Sequence, residues 1–96
     1  MKQSHLLAYY LEDLWSKGFK LSDEEVRFIY FAKYSANASD WMAKQALKIT
    51  LQMKCTFDGS FYISLLELIV HESVTNNKKL NHLLMDKGIF LTPAGY

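Results

Sequence analysis

A chain of 96 residues, half of them hydrophobic and 15% aromatic, is long enough for one small domain, residues 1–96, with a real core. Its single cysteine excludes an internal disulfide framework and a cysteine-based zinc site, and points to a reducing, cytoplasmic setting. Eleven basic side chains against ten acidic ones, a net charge of +1, leave no whole-molecule field for nucleic acid or acidic membranes.

Ser4 caps a first predicted helix over about residues 5–17. Leu7, Tyr10, Leu11 and Leu14 recur there at spacings of three and four, while His5, Tyr9, Glu12, Asp13 and Ser16 take the other face. Gly18 stops this helix as a C-terminal cap. Leu21-Ser22-Asp23-Glu24-Glu25-Val26 then holds a complete helix start. Ser22 and Glu25 form a reciprocal capping box, and Leu21 and Val26 sit where a hydrophobic staple packs. Asp23 and Glu24 add negative charge at the positive end of the helix dipole. Beyond it, Val26, Phe28, Ile29, Tyr30, Phe31 and Tyr34 point nearly all the way round, the pattern of a helix buried on several sides or in an interface. An unbroken helix over 23–54 is long for a small domain, and Asn37-Ala38-Ser39-Asp40 offers a new cap, so a kink or restart is expected near Ser39.

The third predicted helix, about 40–54, has one stripe of Met42, Ala46, Ile49 and Met53 and a second of Leu47 and Leu51, which predicts two packing neighbours. Asp58-Gly59, set among apolar residues, allows two readings of 55–63: a small β-hairpin or an interhelix turn. The next helix starts at Ser60, or at Ser64 with a second capping box to Glu67, and runs to about Thr75. Asn76-Asn77 breaks it. A short helix over about 78–87 turns Leu80, Leu83 and Leu84 inward and is capped by Gly88. Ile89-Phe90-Leu91-Thr92 is β-like and leads into a C-terminal tail. The expected fold is therefore mainly α, a compact bundle of four to five short helices. No repeat, low-complexity segment or linker divides it.

Catalytic sets are hard to assemble from this sequence. Glu67 and His71, one turn apart, share a helix face, but a catalytic metal generally needs three protein ligands, so the pair reads as solvated. Cys55 has no histidine near it in sequence and reads as a small packed apolar residue at a helix end. The four glycines are scattered and make no phosphate loop. No apolar run approaches the ~18 residues of a membrane span. Met1-Lys2-Gln3-Ser4-His5 lacks the apolar region of a signal peptide, and Asn37-Ala38-Ser39 is a chance match to the glycosylation triplet.

Ile63-Ser64-Leu65-Leu66-Glu67-Leu68-Ile69, followed by Asn76-Asn77-Lys78-Lys79-Leu80-Asn81-His82 and Lys87-Gly88-Ile89-Phe90-Leu91-Thr92-Pro93, resembles the winged-helix DNA-binding pattern. That resemblance implies a short strand, a Ser-capped helix, a recognition helix and a wing. Asn77, Lys78, Asn81 and His82 would then face the major groove, and Lys78 and Lys79 would meet phosphate. A second stretch, from Leu21 onward, is similar to one half of the ferritin-like helical proteins of the spore-coat type, without their metal ligands; this implies a bundle and no activity.

These readings converge on a non-enzymatic helical regulator or inhibitor of bacterial or phage origin, without cofactor or metal, that acts by binding another protein. More apolar helix surface is present than a monomer of this size readily buries, so a homodimer is also expected. The docking residues expected are Tyr30, Tyr34 and Trp41 with Lys44 and Lys48, since aromatic anchors with a charged rim suit a hot spot. The alternative is a DNA-binding winged-helix-like transcriptional regulator using residues 63–93 through Asn77, Lys78, Lys79, Asn81 and His82.

Overall fold

Side-chain caps mark where the second to fifth helices of this protein begin. The structure, a computed structural model, describes residues 4–88, and only the backbone of 4–6. It contains α1 (Ser4–Ser16), α2 (Asp23–Ser35), α3 (Asp40–Lys54), α4 (Gly59–His71) and α5 (Asn77–Asp86). The capping box forms in full: Ser22 Oγ accepts the Glu25 amide at 3.1 Å, and Glu25 Oε1 accepts the Ser22 amide at 2.9 Å. Ser39 restarts the chain by accepting the Met42 amide at 3.2 Å, and Asn76 opens α5 by accepting the Lys79 amide at 2.9 Å.

The hairpin reading of 55–63 is wrong. Asp58 Oδ1 accepts the Phe61 amide at 3.1 Å, so Asp58-Gly59 starts a helix instead of turning two strands. Only residues 55–58 separate α3 from α4, and no strand occurs among the described residues. Ser64 consequently lies inside α4, and the second capping box with Glu67 does not form. The β-like stretch 89–92 and the tail after it lie outside the described residues.

The helix ends use left-handed residues. Gly18 (φ +96°) closes α1 in a Schellman motif, with Phe19 donating to the Leu14 carbonyl at 2.9 Å and Gly18 to that of Trp15 at 3.1 Å. The same pair of bonds recurs after α2 at Asn37 (φ +58°) and after α4 at Ser73 (φ +55°), which ends α4 at His71, short of the expected Thr75. Cys55 ends α3 at φ +62°, and it is exposed, not packed as expected.

The α3 helix is the centre of the arrangement, packing against α1, α2 and α4, one neighbour more than its two stripes suggest. Ala43, Ala46, Leu47, Ile49, Thr50 and Leu51 are all buried there. Thr50 satisfies its hydroxyl by donating to the Ala46 carbonyl at 2.7 Å, so it can be buried too. Leu7, Tyr10 and Leu14 enter this core from α1, Leu65, Leu66 and Ile69 from α4, and Leu80, Leu83 and Leu84 from α5. The fully buried Tyr62 ties α4 to α2 by donating to the Ile29 carbonyl at 3.0 Å. A Cβ at Gly59 would stand 3.2 Å from Phe28 Cε2, so glycine permits the close approach of these two helices. None of the described helices is long and apolar enough to cross a membrane.

Candidate functional site

The second helix lies at the edge of the bundle, so of the two readings of its apolar pattern, burial on several sides or in an interface, the first does not hold. It packs on α3 and α4, and of its residues only Ile29 and Ala32 are buried. The face turned away carries Glu24, Arg27, Phe31 and Tyr34 at spacings of three, four and three, which align on one side of a helix. Phe31 is 63% exposed and Tyr34 70%. Arg27 is the sole arginine of the chain, and it is exposed. Neither the Glu24 nor the Arg27 side chain has a hydrogen bond or ion pair among the described residues.

This face is held in place from beneath. Lys33 Nζ lies 3.1 Å from Asp40 Oδ1, in a pair whose side chains are 12% and 6% exposed. Asp40 is the first residue of α3, and its Oδ2 accepts the Leu7 amide of α1 at 3.4 Å, so one carboxylate joins three helices. The same Lys33 ammonium sits 4.7 Å from the centre of the Tyr34 ring. Tyr34 in turn stacks on Tyr30 at 6.4 Å and 28°. Burial, then the Asp40 and Tyr34 charges, push the Tyr30 phenol above its ordinary range. Exposed Tyr34 is thereby anchored, through half-buried Tyr30 and Lys33, to a buried ion pair.

The docking set expected from sequence divides among several places. Tyr30 and Tyr34 come together on α2 as described. Trp41 is half-buried and packs against the core. Lys44 turns to α1, 5.8 Å from the Tyr10 ring, and Lys48 lines a groove of about 400 Å³ between α3 and α5 with Asn77 and Asn81. Phe31 and Arg27, outside the docking set expected from sequence, stand exposed on the same side of α2 as Tyr34. A second concavity, about 590 Å³ and shallow, lies between the starts of α2 and α4. Apolar Phe28, Phe57 and Ile63 and acidic Glu24, Glu25 and Asp58 line it. Glu25 and Asp58 already accept helix-start amides there.

On α5, Asn77, Lys78, Lys79, Asn81 and His82 are all exposed. Lys79 and His82 share a groove with Glu72 and Asp86, whose carboxylates offset the positive charge of Lys79. The preceding strand and Ser-capped helix of the winged-helix pattern are not formed, because α4 begins five residues before Ser64, at Gly59. The wing segment 89–93 lies outside the described residues. Glu67 and His71 are exposed on α4, and the described residues contain no group of three side chains suited to a metal.

The sequence profile of a family of unknown function (DUF6123) matches residues 1–90, and the chain belongs to that family. No curated protein matches the chain, and no solved structure does.

Proposed function

For this member of a family of unknown function, we propose a non-enzymatic regulatory role exercised by binding another protein through the outer face of α2. One observation carries the reading: Arg27, Phe31 and Tyr34 form an exposed stripe on a helix whose opposite side is fixed to the core. Arginine and aromatic residues are the types enriched at binding hot spots. The Lys33–Asp40 pair supplies the rigidity that such anchors need. Trp41, Lys44 and Lys48 face elsewhere and are left out of this stripe.

The test is affinity capture from the protein's own cells, with and without nuclease, comparing the wild type with Phe31→Ala and Tyr34→Ala. A partner that survives nuclease and is lost from both variants supports the reading. A partner retained by both variants removes the α2 face from consideration.

DNA binding through α5 is a second reading, favoured by the joint exposure of its five polar side chains. Residues 55–88 nevertheless hold Lys78, Lys79 and Lys87 against Asp58, Glu67, Glu72 and Asp86. A mobility shift on random duplex at low salt, weakened by Lys78→Ala and Lys79→Ala, would support it, because phosphate contacts are the salt-dependent part of such binding. Our reading expects no shift.

A further inference from the structure

We propose that the outer face of α2 is self-complementary and pairs, antiparallel, with the same face of a second copy, so that self-association masks the surface used for docking. This rests on the reading of that face as a protein-binding surface. The order of side chains along the stripe supplies the argument: acidic Glu24, basic Arg27, then aromatic Phe31 and Tyr34. A two-fold axis crossing α2 at the level of Ile29 brings Arg27 beside the partner's Phe31 and Glu24 beside the partner's Tyr34. Each contact occurs twice, as an isologous interface requires. A guanidinium over an aromatic face is favourable. A phenol hydroxyl can donate to a carboxylate. The charges of Glu24 and Arg27 cancel within the interface.

Parallel pairing gives the opposite result. It sets Arg27 against the partner's Arg27 and Glu24 against the partner's Glu24, and like charges in contact repel. The charge order therefore selects the antiparallel form. Arg27 and Glu24 are exposed and have no competing partner among the described residues, so neither must leave an existing contact. A single pair of helices of 13 residues, about 20 Å long, makes a small interface. Association is accordingly weak and concentration-dependent, the regime in which a competing partner can displace it.

Sedimentation velocity from low micromolar to near-millimolar protein reads the pairing, with circular dichroism to show that each variant stays folded. The expected result is a monomer–dimer equilibrium, weakened about tenfold or more by Arg27→Glu and by Phe31→Ala, as befits hot-spot residues. Orientation is read by disulfide trapping in a Cys55→Ser background. Positions 24 and 34 lie about 15 Å apart along one helix, too far to bridge within a chain. The double variant Glu24→Cys/Tyr34→Cys should therefore form a covalent dimer on oxidation, and Glu24→Cys alone should not.

A monomer at every concentration overturns the pairing. So does a dimer unmoved by Arg27→Glu, or ready crosslinking of Glu24→Cys alone, which marks the parallel form. A monomer that still captures a different protein in a Phe31-dependent manner overturns the pairing and leaves the docking reading standing. Dimerisation through the stripe with no Phe31-dependent capture does the reverse.

Discussion

Asp40→Ala removes the carboxylate that joins α1, α2 and α3, and its cost can be assembled from three losses. The contact with the Leu7 amide is long, at 3.4 Å, and contributes at most about 1 kcal/mol. A negative charge in the first turn of α3 adds about 0.5 kcal/mol. The largest loss is the counter-charge of Lys33, 3.1 Å away and only 12% exposed. Removing one member of a buried pair costs about 3–5 kcal/mol, and a lysine stem that can swing its ammonium toward water brings this nearer to about 2 kcal/mol. The total is about 3 kcal/mol. For a chain of this size that corresponds to a fall in Tm of roughly 12–24 °C. Thermal and urea denaturation of the variant measure it. Lys33→Met added to Asp40→Ala removes the orphaned ammonium, so the double variant should be more stable than Asp40→Ala alone. A shift below about 4 °C for the single variant, or a double variant whose losses merely add, would refute the view of this pair as the joint of the bundle.

Other consequences are open to similar measurement. Ser22→Ala should cost about 1 kcal/mol in chemical denaturation, and Glu25→Ala less, because Ser22 still satisfies one amide when Glu25 is gone. Cys55→Gly and Ser73→Gly should each raise stability by about 0.5–1 kcal/mol, since both residues hold a left-handed conformation that suits glycine; a loss at both would contradict the backbone described. Burial, with the Asp13 charge, pushes the Tyr10 phenol up to about 12, and burial raises that of Tyr62 as well. A raised folded pKa means stability that is intact below the unfolded value near 10 and is lost as pH rises through the folded value. Stability should therefore fall between about pH 10 and 12, and ultraviolet titration should show two tyrosines ionising only as the fold opens; ordinary titration of all tyrosines in the folded protein would contradict their burial.

Much of the local structure was legible in the sequence because it is determined locally. Ser22 with Glu25, Ser39 and Gly18 each act through amides within a few residues, so their roles follow from spacing alone. Asp58-Gly59 was ambiguous for the same reason. A hairpin turn and a helix cap use the same two residues, and only the packing of Phe57 and Tyr62, 5.7 Å apart and beside Phe28, decides between them. The Lys33–Asp40 pair was out of reach. Six residues and a helix break separate its members, and Asp40 read only as part of the Asn37-Ala38-Ser39-Asp40 cap segment. On α2 the aromatic residues obscured the inner and outer faces, because Phe31 and Tyr34 count as apolar in a pattern yet stand in solvent. The aromatic candidates on that helix were visible from spacing. Their separation from Trp41, Lys44 and Lys48 depended on how α3 sits against α1 and α5.

The central claim is that the outer face of α2 is where this protein meets its partner, and a photo-crosslinking side chain placed at Phe31 tests it most directly. Activated in the protein's own cells, it should yield a discrete adduct with another protein that disappears when Tyr34→Ala is added. The same side chain placed at Glu67, on the exposed face of α4, should yield no such adduct. Absence of any adduct from position 31, or the same adducts from positions 31 and 67, would contradict the account.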